Sequence, residues 1–426
     1  MLKNIPIPPP EQLTARGRDF AYPASLASDP AALREAEQRY TLDPQQLMAL
    51  AREETGLADF GPEPFAGPLR ILCASLRDEV DLNAAGRENA HRRLMNLLVT
   101  RLRLQDLWTR HPQILDQPVS APIFIVGLPR SGTTYLQRLM ARDSTLRWSP
   151  FWELMFPLPF GQADAPVAQP DPRIAAAQAA LDRLFQVAPE MMKMHEIEAE
   201  EPEEEIALLS LGFCSMAFEW SFAVPSYVDY YKRADHTQGY AYFKRVLQTL
   251  QWLRGGGQWL LKAPMHMENL DEIMQVFPDA VIVQTHRDPV TATVSLSSLT
   301  CTGIRNYFDH PNPLVVGDYI SSAVERLLNG INAYRQANPQ QPVVDIQFRE
   351  LMADPLTMVR RIYAVCGKTL AASDETRIRE YLAAHPRHKN GGHEYSADDF
   401  GIDLDERYRA LSFYMQRYQV PAERRN

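Results

Sequence analysis

The stretch PIFIVGLPRSGTTYLQRLM, residues 122–140, constrains the fold more than any other part of the chain. Ile123 to Val126 are four apolar residues in a row, the length of a short buried strand, and a helical pattern starts at Thr133. Between them Gly127 and Gly132 bound a loop. A strand that feeds a helix through such a loop turns backbone N–H groups and a helix N-terminus toward an anion. The two glycines stand at the spacing of the nucleotide motif G-x-x-x-x-G-K-[ST], but Thr133 occupies the lysine position. The cation lies inside the loop instead, as Arg130, which can grip an oxyanion through two parallel N–H bonds. Ser131, Thr133 and Thr134 add hydroxyl donors. This set predicts a phosphate- or sulfate-binding loop that works without the lysine.

Beyond this loop the chain alternates β-rich runs with helical patterns: QWLLKA at 258–263, AVIVQT at 280–285 and PVVDIQF at 342–348. Such alternation predicts an α/β fold, a P-loop-like parallel sheet flanked by helices. Residues 1–117 read as a helical N-terminal extension and 118–426 as the α/β domain. Asp29-Pro30 and Asp43-Pro44 are N-cap signals, and a long apolar helical pattern runs from Asn83 to Trp108. A helical insertion at about 150–255, with an alanine-rich and an aromatic-rich helix, falls where insertions build a substrate pocket over the site.

Charge and cysteine usage narrow the function. The formal charge of −9 argues against a nucleic-acid or anionic-membrane binder. Cys73, Cys214, Cys301 and Cys366 are scattered with no C-x-x-C pair, which fits reduced thiols in a cytoplasmic protein. The start MLKNIPIPPPEQL has no signal-peptide pattern, and no apolar run approaches the roughly 20 residues of a membrane span. HEIEAEEPEEE, from His195, lacks the H-E-x-x-H spacing, so no metal is expected, and its acids read as a solvated helix start. A magnesium-dependent kinase would need a carboxylate after another strand. Asp288 and Asp345 are available, but neither follows a clean run of four apolar residues.

PRSGTT after a hydrophobic strand resembles the 5′-phosphosulfate loop of sulfotransferases that use 3′-phosphoadenosine 5′-phosphosulfate (PAPS). The arginine form is similar to the broad bacterial group and to tyrosylprotein sulfotransferases. VIVQTHRDPVTATVSLSSL resembles the family's 3′-phosphate motif, which places Arg287 and Ser295 on that phosphate. FRELMADP resembles the segment that would set Phe348 near the adenine. HPRHKNGGHEYSADDFG resembles the C-terminal basic glycine loop, with Arg387, Lys389, Gly391 and Gly392 on the 3′-phosphate. QWLLKAPMH matches the strand ending in a functional lysine, Lys262. The resemblance covers about residues 120–426 and implies PAPS as sulfuryl donor, 3′-phosphoadenosine 5′-phosphate (PAP) as product, and no metal.

Sulfuryl transfer needs cations on the leaving and transferring oxygens, a role suited to Arg130 and Lys262, with Ser295 assisting, and a base for the acceptor proton. The resemblance offers Glu153, a little over twenty residues past Arg130, as the base. An aromatic pair precedes it, able to desolvate it. His266 and His195 are the other candidates, His266 standing four residues past Lys262 where the cytosolic enzymes have histidine at two. The expected reaction is in-line sulfuryl transfer to a hydroxyl of a small-molecule acceptor. Aromatic residues across 213–243 fit either a pocket for an apolar or aromatic alcohol or phenol, or core packing. The rivals are an ATP-dependent small-molecule kinase and a non-catalytic nucleotide-binding scaffold. A homo-oligomer is compatible with the sequence.

Overall fold

The computed structural model describes residues 7–21, 29–61, 64–385 and 395–423. Five strands form one sheet: β1 (Ile123–Val126), β2 (Leu146–Arg147), β3 (Gln258–Lys262), β4 (Val281–His286) and β5 (Val343–Gln347). Their order is β2-β3-β1-β4-β5, and every pairing is parallel. β1 is central, with Ile123 beside Leu260 of β3 and Val281 of β4.

All four residues of β1 are buried because both sheet faces are covered. Side chains alternate, so Phe124 and Val126 enter one apolar cluster while Ile123 and Ile125 enter another. The second cluster holds Leu136 and Leu139 of the helix Thr133–Met140. The first is far larger and reaches into the N-terminal helices, including Leu47, Leu72, Leu98 and Trp108. The helix Ala84–Arg110 supplies much of that contact. Asn83 caps it, accepting from the Gly86 N–H at 2.6 Å. Asp29 and Asp43 cap the helices Pro30–Arg39 and Pro44–Thr55, as the Asp-Pro pairs predict.

Between β1 and β3 lie β2 and a run of mostly short helices ending in Thr237–Arg254. Most aromatic residues of 213–243 follow the core-packing alternative, while Trp220 lines a cavity. Phe213, Phe218, Phe222, Tyr227, Tyr231, Tyr240, Tyr242 and Phe243 are all buried members of the main core. Packing claims them because each ring removes a large apolar area from water. Among the described residues, no helix is long and apolar enough to cross a membrane.

Candidate active site

The loop after β1 is held in a conformation that few residues tolerate. Arg130 sits at φ +72°, in the left-handed region that costs a side chain energy, and Gly132 at φ +90°. Alanine at Gly132 would bring a Cβ to 3.1 Å from the Phe348 ring and 3.2 Å from Leu351. Ser131 ties the loop down. Its hydroxyl lies 2.6 Å from the Leu128 carbonyl and 2.6 Å from the Thr285 hydroxyl on β4. The Ser131 side chain thus fixes the loop, leaving the N–H groups at the helix start and the Thr134 hydroxyl for an anion.

Two arginines flank these donors. Arg130 Nε donates to Ser295 Oγ at 3.2 Å, and its Nη1 donates to the Met194 carbonyl. Burial pulls its pKa down, and Arg287 adds to that. Arg287 Nη1 donates to the Arg130 carbonyl at 2.7 Å, and its guanidinium lies 4.2 Å from the centre of the Phe348 ring. Its Nε and Nη2 donate to Glu423, at 3.0 and 2.9 Å. Asp288 next to it caps the helix Pro289–Ile304, which carries Ser295. Arg130, Gly132, Ser295, Arg287 and Phe348 thus form one cluster. Arg387, Lys389, Gly391 and Gly392 lie outside the described residues.

Lys262, the last residue of β3, pairs in register with Ile125 and is fully buried. Its ammonium donates to Glu204 at 2.7 Å and to the Thr134 hydroxyl at 3.3 Å, and Glu203 lies at 3.7 Å. Burial pulls its pKa down, but Glu204 and Glu203 outweigh it and leave the pKa raised. Glu203 also faces His195, with 3.4 Å between Oε2 and Nε2. Burial pushes that carboxyl up, while His195 and Lys262 pull harder and hold it well below the usual range. His195 is 25% exposed and directly follows Met194, whose carbonyl takes the Arg130 bond.

The acidic run is therefore not a solvated helix start. Glu196, Glu198 and Glu200 are exposed, but Glu203 and Glu205 are buried just before the short helix Ile206–Leu209. Glu205 accepts from the Lys262 backbone N–H at 2.8 Å and meets His266 Nε2 at 2.7 Å. His266 Nδ1 lies 2.8 Å from the Tyr240 hydroxyl, and the histidine is wholly enclosed. The sequence reading missed Glu203, Glu204 and Glu205. The available signal was Pro202, which breaks the run and starts a new segment.

The Glu153 carboxylate is held by other partners, although its segment is bridged to the acidic run, the Glu203 N–H donating to the Ser149 carbonyl at 3.3 Å. Glu153 is fully buried, and arginines meet its carboxylate. Arg147 of β2 reaches both of its oxygens at 2.7 Å, and Arg254 reaches one at 2.9 Å. The pair joins the sheet edge to the end of the helix Thr237–Arg254.

A sequence model of the sulfotransferase family matches residues 122–372, more than half of the chain. The omega-hydroxy-beta-dihydromenaquinone-9 sulfotransferase Stf3 of Mycobacterium tuberculosis is 23% identical over 312 residues, 67% of this chain and 73% of that protein. Two crystal structures have a similar fold over most of their length. The sulfotransferase STF1 of Mycobacterium tuberculosis is 28% identical with a TM-score of 0.73, covering 87% of this chain and 98% of that one. The sulfotransferase STF9 of Mycobacterium avium is 26% identical with a TM-score of 0.78, covering 89% and 98%. The loop of Arg130, the strand-end Arg287 and Lys262 fall within the matched span, and the chain belongs to the sulfotransferase family.

Proposed function

We propose that this protein transfers a sulfuryl group from PAPS to a hydroxyl of a small, lipid-like acceptor. The observation that carries the reading is the convergence of Arg130, Ser295, Arg287 and Phe348 around one loop, with Lys262 reaching Thr134 at its far side. Ligands of open parallel sheets sit at the carboxyl ends of the strands, where these residues lie. PAPS, when bound, supplies the sulfuryl group and leaves as PAP. The loop fits its anionic groups through the N–H groups of the helix start and the cations around them.

In this reading Arg130 and Lys262 stabilise charge that develops on the transferring and leaving oxygens. Arg287 and Ser295 hold the 3′-phosphate, and Phe348 lies by the adenine. Thr134 orients the Lys262 ammonium. His195 is the general base: it takes the proton of the acceptor hydroxyl, and the Glu203 carboxylate steadies the resulting imidazolium. His195 suits the role because it is partly exposed and tied to both cations, to Arg130 through Met194 and to Lys262 through Glu203. Glu153 and His266 are positioning groups: the Glu153 oxygens already accept from arginines, and His266 donates through Nε2 to Glu205 while its Nδ1 faces the Tyr240 hydroxyl. We assign catalysis to 118–426, with 1–117 as a helical buttress.

The kinase alternative is weaker because its carboxylates have other work. Asp288 accepts from the Val290 N–H, the Tyr408 hydroxyl and the Glu423 N–H, and Asp345 pairs with His286 and Arg335. The mycobacterial relative is named for a hydroxylated menaquinone, which supports a hydroxyl-bearing acceptor. Incubation with sulfur-labelled PAPS and a panel of long-chain alcohols and phenols tests the proposal. Label should pass to at least one alcohol and be lost in Lys262→Ala. Consumption of ATP with no PAPS-dependent labelling would refute it.

A further inference from the structure

The arginine proposed for the 3′-phosphate already holds an anionic group. A guanidinium grips an oxyanion best along an edge where two N–H bonds run parallel. On Arg287 the Nε–Nη2 edge is taken by Glu423, at 3.0 and 2.9 Å, while Nη1 donates to the Arg130 carbonyl at 2.7 Å. The Phe348 ring lies against the guanidinium, its centre 4.2 Å away. Glu423 thus fills the edge on which neither nitrogen serves the loop carbonyl.

The place of Glu423 is fixed from two directions. Just before it in the chain, Tyr418 stacks on His286 of β4 with ring centres 4.6 Å apart. The Tyr418 carbonyl accepts from Gln347 Nε2 of β5 at 2.8 Å, and Val420 is buried. At Glu423 itself the backbone N–H donates to Asp288 Oδ2 at 2.6 Å, an oxygen that also accepts from the Tyr408 hydroxyl at 2.8 Å. The adjacent residues Arg287 and Asp288 therefore hold the side chain and the backbone of one glutamate.

The grip on Arg287 is nevertheless displaceable. Ala422 is exposed, and the Arg287 and Glu423 side chains keep 21% and 28% of their surface in water. An ion pair at such exposure contributes little, because water and salt compete with both partners. A phosphate monoester brings nearly two charges and three acceptor oxygens against the single charge of a carboxylate. We infer that Glu423 sets the affinity of the donor site for 3′-phosphorylated nucleotides: its carboxylate holds the place of the 3′-phosphate on Arg287 and yields when the donor binds. The inference rests on the donor assignment above. PAPS and PAP carry the same 3′-phosphate, so Glu423 weakens both alike and lowers donor affinity and product retention together. A nucleotide without that phosphate does not compete with it.

Calorimetry on the full chain with PAP and with adenosine 5′-phosphate, which lacks the 3′-phosphate, tests this. Glu423→Gln and Glu423→Ala should each tighten PAP about five-fold, the upper range for a largely exposed ion pair, with the melting temperature kept. Binding of adenosine 5′-phosphate should not change. In steady-state assays the KM for PAPS and the inhibition constant of PAP should fall by the same factor. In an Arg287→Ala background the Glu423 substitutions should leave PAP binding as it is, because the two residues act through one contact. Unchanged or weaker PAP binding in a folded Glu423 variant would show that the carboxylate positions Arg287, and would overturn the inference. Equal tightening of adenosine 5′-phosphate would also overturn it. A wild type that binds no PAP would refute the donor assignment, and this inference with it.

Discussion

Glu203, Glu204 and Glu205 are adjacent in sequence, yet they serve His195, Lys262 and His266 in turn. Burying such a row is feasible only because each carboxylate meets a cation or an imidazole. If His195 is the base, His195→Ala and Glu203→Gln should each lower kcat about 10²–10⁴-fold with PAP binding nearly unchanged. Stopped assays under saturating PAPS would read this, and a full-rate His195→Ala variant would contradict it. The depressed pKa of Glu203 also sets a sign for stability. Its contribution is complete above its unfolded pKa of about 4.3 and is lost as pH falls through the lower folded value. Glu203→Gln should therefore flatten the acid limb of the melting profile. Glu153→Gln should behave differently. Leaving Arg147 and Arg254 without their carboxylate should cost stability, about 3–5 kcal/mol. The rate per folded molecule should stay near that of the wild type. A cold-stable variant with abolished turnover would restore Glu153 as the base. The loop residues were legible because their types and spacing carry the chemistry, whereas the acid trio was not. No periodicity distinguishes buried Glu203 and Glu205 from exposed Glu198 and Glu200.

The elements that position these residues were legible in proportion to their burial. β1, β3, β4 and β5 announce themselves as apolar or β-rich runs, and the structure places each within a residue or two of its sequence bounds. β2 escaped notice because Leu146 and Arg147 are only two residues, held at the sheet edge by pairing with Gln258 and Trp259. The Arg147 guanidinium also lies over the Trp259 ring, 4.7 Å from its centre. At the loop, backbone conformation decides more than side-chain type. Gly132→Ala introduces a left-handed side chain and presses on Phe348, so it should cost about 1–2 kcal/mol of stability. PAP binding should weaken about ten-fold, because the helix start would shift under the anion. Thermal melting and titration check both, and unchanged values would show that the loop tolerates a Cβ.

At the scale of the whole molecule, the N-terminal helices share one apolar cluster with the sheet, from Phe20 and Leu72 to Phe124 and Leu261. The sequence showed helices there but not their docking, since an amphipathic face does not name the surface it covers. The far end of the chain also returns to the site. Glu423 takes two N–H bonds of Arg287, so a carboxylate neutralises the arginine proposed for the 3′-phosphate. Calorimetric titration of the full chain with PAP, set against ATP plus Mg²⁺, tests the donor assignment most directly. PAP should bind saturably without metal. Arg287→Ala should weaken it at least ten-fold, since hydrogen bonds to charged groups contribute about 1.5–3 kcal/mol. Glu423→Gln should tighten it. Tight binding of ATP with Mg²⁺, together with no measurable binding of PAP, would contradict the sulfuryl-donor reading.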